Sequence, residues 1–372
     1  MKQYDFTPLQ TLMEEFVAQR DIPGVDITVA VGYDIVTRYY TGFADRAKRI
    51  PISDKTKYYL FSASKPITCA AVLRLVERGD IELDAPLSRY LPAFEHLTVD
   101  DGIHPPHTAQ NPILVRDLFC MTNGYSYEYS ARISAMEGGV CKTVPTLTHL
   151  AALPLRFEPH TRFAYGLGHD LLAALTETVT GQTYRDYLAE AVFKPLGMTR
   201  TAMHPTSDDR ENLAALYRMT DGVTHEIEPV NTFIFGDEYD SGGAGIISCP
   251  EDYIKFAMTM TAGGISANGY RLLHPETVEL MRKPHLNEKE LATFNVGFTG
   301  YSYGLGVRTH IDPAVSGRLS PVGEFGWDGA AGAFTSFDPE NKITIYYAQH
   351  VIGTPHPVNH KDILNTVYRC IL

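Results

Sequence analysis

Apolar residues along this chain recur with two different periods, and the change of period divides it into three stretches. Near the N-terminus, Thr7 to Arg20 carries apolar residues at helical spacing and predicts an amphipathic helix. The next two runs, GVDITVAVG and DIVTRYYTGFAD, are rich in Val, Ile, Thr and Tyr and predict a two-stranded hairpin. The C-terminal end has the same character. SYGLGVRTHI, GAFTSFDPE and KITIYYAQHV predict strands, DPEN the turn between the last two, and a closing helix is expected over about 358–370. Between the ends, helical periodicity prevails over 66–79, 114–121, 168–180, 183–193, 250–262 and 275–282. The expected fold is α/β of the α+β type: an antiparallel sheet built from both chain ends and flanked by helices, with a mainly helical region inserted. A single domain over 1–372 is expected, with a sheet part at about 1–65 and 285–372 and a helical part at about 66–284.

Chemistry enters at FSASKPIT, residues 61–68, just ahead of the apolar run ITCAAVLRLVERG. Proline is tolerated in a first helical turn, so a helix is expected to start near Ser62. Residues three apart share a helical face, which puts Lys65 beside the Ser62 hydroxyl. The positive end of the helix and burial both disfavour a lysine cation, so Lys65 is expected to have a lowered pKa. Such a lysine can activate a serine, a poor nucleophile on its own. The pair is the chain's single S-x-x-K, where composition alone predicts about 0.5 instances, so a solvated lysine is the competing reading until the surroundings are weighed. A second serine lies in Gly300-Tyr301-Ser302-Tyr303-Gly304, a G-x-S-x-G match. A nucleophile elbow needs a strand before and a helix after its serine. Here GLGVRTHI follows, which alternates as a strand, so Ser302 reads as the lead into a sheet strand.

Composition narrows the function classes. A net charge of −12 without a basic cluster argues against nucleic acid as a partner. The opening MKQYDFTPLQTLMEEF lacks the apolar centre of a signal peptide, and no apolar run reaches membrane length, so no membrane association is expected. Cys69, Cys120, Cys141, Cys249 and Cys370 are odd in number and widely spaced, which suits reduced thiols and a cytoplasmic location. His104 and His107 flank two prolines, and His356 and His360 lack an accompanying carboxylate or cysteine cluster. Neither a metal nor another cofactor is expected.

Six stretches then point one way in order: FSASKPIT, PLSRYLPAF, ILVRDLFCMTNGYSY, the run from FAYGLGHD to KPLGMTRT, SGGAGIISCPEDYIKFAMTM and FGWDGAAGAF. Together they resemble the serine β-lactamase and penicillin-binding protein superfamily, most of all class C β-lactamases and the β-lactamase-like family VIII carboxylesterases. The resemblance runs from about residue 15 to 350. It implies a β-lactamase/transpeptidase-like fold, Ser62 as the acylated nucleophile and Lys65 as its proton-handling neighbour. It also implies that Tyr165, in Tyr165-Gly166-Leu167, is the tyrosine that shuttles protons. The third family motif falls on Trp327-Asp328-Gly329, and the N–H groups of Ser62 and Ala330 become the implied oxyanion hole. A tight turn in a sheet is the competing reading of that stretch.

Two departures set the expected substrate. Leu167 stands where the family has an amide, and Trp327 where it has a lysine that pairs with a substrate carboxylate. Asp328 adds a negative charge nearby, and Gly329 allows close approach. With Leu167, Trp327, Asp328 and Gly329 as substrate-binding residues, the site is expected to favour small neutral esters or amides over β-lactams. A carboxylesterase is therefore expected. The alternatives are a β-lactamase or D-Ala-type peptidase using the same residues, and a non-catalytic binding protein on the same fold.

Overall fold

The computed structural model describes residues 4–137, 140–294 and 297–372. Its centre is an eight-stranded antiparallel sheet. The strand order is Tyr301–Tyr303, Arg308–His310, Phe325–Gly326, Phe334–Asp338, Ile343–Ala348, Gly24–Val31, Asp34–Asp45 and Ile50–Pro51. The two ends of the chain meet in the middle, where Asp26 to Val31 pairs with Ile343 to Ala348.

Side chains on these two strands alternate between faces, as a pleated strand requires. Ile27, Val29, Ile345 and Tyr347 pack under the helices Thr7–Gln19 and His356–Ile371, through Leu9, Met13, Phe16, Ile363 and Val367. On the other face Tyr346 stacks on Tyr253 at 4.4 Å between ring centroids, and Phe337 meets Phe256 edge-on. Both partners belong to the helix Pro250–Thr261, which joins the sheet to the helical region. Cover on both faces explains why Gly24–Val31 is almost wholly buried.

The helices Lys65–Glu77, Gly168–Thr180 and Pro275–Arg282 fall where their apolar periodicity puts them. Two differences from the sequence pattern stand out, and one expectation, for Ser302, holds. SYGLGVRTHI makes two strands rather than one, because Gly306 sits at φ +81° and turns the chain between Tyr303 and Arg308. Ser302 lies in the first of these strands, is 2% exposed and is followed by another strand, so no elbow is present. Leu216–Thr220 and Val223–Ile227 form a small sheet with Val351–Ile352 that the helical reading of 66–284 did not contain. Among the described residues, no helix is long and apolar enough to cross a membrane. The five cysteines are free thiols.

Candidate active site

Ser62 is the second residue of a short 3-10 turn, Phe61–Ser64, which leads straight into the helix Lys65–Glu77. Phe61, just before it, has φ +47°, a conformation that costs a residue with a side chain about 1–3 kcal/mol. Packing holds it there: its ring meets Tyr59, Phe233 and His350 within 6.3 Å. The turn is clamped to the Ser241–Ile246 loop by Leu60 N–H to the Ile246 carbonyl (2.9 Å) and by Ile246 N–H to Ser64 Oγ (3.2 Å).

Lys65 is fully buried. Its Nζ donates to Ser62 Oγ at 3.2 Å, to the Tyr127 hydroxyl at 3.0 Å and to the Gly243 carbonyl at 2.8 Å. An ammonium has three donors, and here each has an acceptor. Burial pushes Lys65 towards the neutral form, as the sequence suggested, but the phenols of Tyr127 and Tyr165 outweigh it and the net direction is upward. The expectation of a lowered lysine is therefore corrected.

Two tyrosines flank this lysine. Tyr165 presents its ring 4.7 Å from Lys65 Nζ, while its hydroxyl accepts a 2.8 Å bond from the Trp327 indole N–H. Tyr127 bonds Lys65 directly, and burial drives its phenol upward against the pull of Lys65. The two rings meet edge to face at 5.7 Å. A bridge between Ser126 and Gly166 brings their segments together, and a Cβ on Gly166 would come within 2.2 Å of the Tyr125 carbonyl. Sequence reasoning missed Tyr127. The stretch Tyr125-Ser126-Tyr127-Glu128-Tyr129 offers three tyrosines, and nothing local separates the one at Lys65 from its two buried neighbours.

The third motif lies against the Ser62 turn because Gly329 lacks a side chain; a Cβ there would meet the Leu60 carbonyl at 2.4 Å. Ser62, Tyr165, Trp327, Asp328, Gly329 and Ala330 line one cleft of about 260 Å³, which Phe298, His356 and Pro357 complete. Trp327 is 3% exposed and packs on Tyr165, Phe298 and Tyr303. A roomier groove beside Arg282 and Thr309 contains none of these residues.

Two site expectations change. Leu167 does not line the cleft: it is 1% exposed, sits in the helical core and precedes the helix Gly168–Thr180, so its side chain is packing. Asp328 is no free negative charge. Its oxygens accept from Arg308 Nη1 at 2.7 Å and His360 Nδ1 at 2.8 Å. Burial would raise this carboxyl, but Arg308 and His360 hold it at about 2. Among the described residues no group of three or more His, Cys, Asp or Glu side chains could hold a metal ion. His104 pairs instead with Asp101 and His107 with Glu158.

The esterase EstB of Burkholderia gladioli is 29% identical to this chain over 354 residues, covering 87% of this chain and 85% of that protein. A putative D-alanyl-D-alanine carboxypeptidase of Escherichia coli strain K12 is 26% identical over 368 residues, covering 90% and 80%. The solved structure of EstCE1, a hydrolase with promiscuous acyltransferase activity, superposes with a TM-score of 0.83 at 25% identity, covering 97% of each chain. With the beta-lactamase family model matching residues 9–364, nearly the whole sheet-and-helix body and every motif around Ser62 fall inside the match, and the chain belongs to the beta-lactamase family, whose serine hydrolases include esterases.

Proposed function

We propose that this protein is a carboxylesterase that works through an acyl-enzyme on Ser62. Its Oγ attacks the ester carbonyl and gives its proton to the Lys65–tyrosine cluster, once that cluster has lost one proton to solvent. The N–H groups of Ser62 and Ala330 take the oxyanion, and donors so placed are worth about 2.7 to 4 kcal/mol each. Tyr165 faces the cleft beside Ser62 and gives a proton to the departing alkoxide. Tyr127, behind Lys65, keeps the lysine in place. Water then enters, loses a proton to the same cluster and releases the acid, restoring Ser62.

One observation carries the substrate side of this reading: the third motif presents a buried indole at Trp327, while its neighbour Asp328 is engaged by Arg308 and by a hydrogen bond from His360. A β-lactam or D-Ala carboxylate therefore finds no lysine at this position, and losing such a pair costs a few kcal/mol. The aromatic wall of Tyr165, Trp327 and Phe298 suits an uncharged acyl or alcohol group. The test is a comparison of kcat/KM for a p-nitrophenyl butyrate and a chromogenic cephalosporin. The ester is expected to win by at least about a hundredfold, roughly 2.7 kcal/mol in transition-state binding. Comparable or faster cephalosporin turnover would replace this reading with a β-lactamase or D-Ala-type peptidase.

A further inference from the structure

Lys65 is a buried cation whose hydrogen-bond partners are all neutral: a serine hydroxyl, a phenol and a backbone carbonyl. A buried charge without a compensating charge costs far more than hydrogen bonds alone return. Behind it lies a carboxylate that the mechanism above does not use. Asp170, on the first turn of Gly168–Thr180, is 1% exposed. Its Oδ1 accepts from Ser241 Oγ at 2.7 Å and from the Tyr239 hydroxyl at 3.1 Å, while Oδ2 makes no hydrogen bond of normal geometry. Only a glycine separates the two charges. A Cβ on Gly243 would stand 2.7 Å from Asp170 Oδ2 and 3.3 Å from Lys65 Nζ, which puts the pair within about 6 Å of each other.

We propose that Asp170 is the counter-charge of Lys65: a positioning residue whose carboxylate holds the lysine as an ammonium and sets the pH at which the cluster gives up its proton. The idea rests on the esterase reading for its functional meaning, but not for its electrostatics. Four other titratable groups face this pocket, and burial favours the neutral form of each. Burial pushes the Cys69 thiol and the Tyr127 and Tyr239 phenols up, and pushes His169 down, with Lys65 adding to that shift. Tyr165 presents its ring to Lys65 Nζ at 4.7 Å. Asp170 itself is raised by burial and drawn back by Ser241, Lys65, Tyr239 and the Gly243 N–H. The Gly242 and Gly243 backbone has room for no side chain here: a Cβ on Gly242 would meet the His169 carbonyl at 2.2 Å.

The test reads Lys65 directly. The full-length chain is labelled with ¹³C-lysine, Lys65 is assigned by its loss in Lys65→Arg, and its titration is followed in wild type and in Asp170→Asn. An opposite charge at this range shifts a pKa by about one unit or more, so the midpoint should fall by at least that much. The rising limb of kcat/KM against pH should move to lower pH by the same amount, about tenfold in relative rate at a fixed pH on the limb. Asp170→Ser, which leaves space for water, covers the case in which the Asn amide disrupts folding, and must shift Lys65 the same way. An unchanged or raised midpoint in a folded variant overturns the proposal, including the case in which Asp170 is already protonated. Because the NMR midpoint needs no turnover, such a result leaves the esterase reading standing. Failure of wild-type Ser62 to be acylated would sink that reading without touching the electrostatics.

Discussion

The indole N–H of Trp327 donates to the Tyr165 hydroxyl across 2.8 Å. That bond gives the tryptophan of the third motif a second task besides lining the cleft. It occupies a lone pair of the phenol oxygen and leaves the phenol's own O–H available for the leaving group. Trp327→Phe and Tyr165→Phe should therefore each lower kcat, while the double variant should lose less than the product of the two. A coupling of about 1 kcal/mol or more, roughly fivefold, is expected from the kinetic cycle. Strictly additive losses would mean that the bond is idle in turnover.

The saturated donors of Lys65 bear on pH dependence. The net direction of its shift is upward, since Tyr127 and Tyr165 outweigh burial, so the form lacking a proton accumulates only on the alkaline side. For a neutral ester, kcat/KM should climb steadily from about pH 6 to pH 9, with an apparent pKa that belongs to the lysine–tyrosine cluster rather than to one residue. A profile that is flat or falls over that range would remove this cluster from the rate-determining proton transfer.

Acid stability has a separate origin. His350 is 4% exposed, its Nδ1 bonds the Ala214 carbonyl at 2.9 Å, and burial pushes it down to about 4. Its folded pKa lies below the unfolded value of about 6.5, so its contribution is fully present above that pH and is lost as the pH falls towards 4. The loss amounts to about 3 kcal/mol. Asp26, raised to about 6 by burial, works the other way over the same range, so comparison with a variant isolates the histidine. His350→Asn should flatten the fall of Tm between pH 7 and about pH 4 relative to wild type. Parallel curves for the two proteins would assign the acid sensitivity elsewhere.

Much of this was legible in the sequence because period carries burial. Strands Gly24–Val31 and Ile343–Ala348 and helices such as Gly168–Thr180 have patterns that only one element satisfies. Ser62 and Lys65 were legible because a helical turn fixes their separation, whatever the rest of the fold does. Tyr127 was not, since it reaches Lys65 through a bridge between Ser126 and Gly166 that no local pattern encodes. Asp328 was misjudged for a related reason. Its partners Arg308 and His360 stand 20 and 32 positions away, so a residue that reads as a spare charge is one member of a buried network. Leu167 shows the converse: it is the last residue of its motif in sequence, yet the start of the next helix turns the side chain into the core. The direction of the Lys65 shift needed both tyrosines in place before it could be reasoned out.

The central claim is that Ser62 carries the acyl group, and trapping that intermediate tests it most directly. Wild-type protein is quenched with acid during turnover of p-nitrophenyl butyrate, digested and mapped by mass spectrometry. A butyryl adduct on the peptide containing Ser62, absent from Ser62→Ala together with the esterase activity, is the predicted result. An adduct on Ser302, or undiminished hydrolysis by Ser62→Ala, would contradict it.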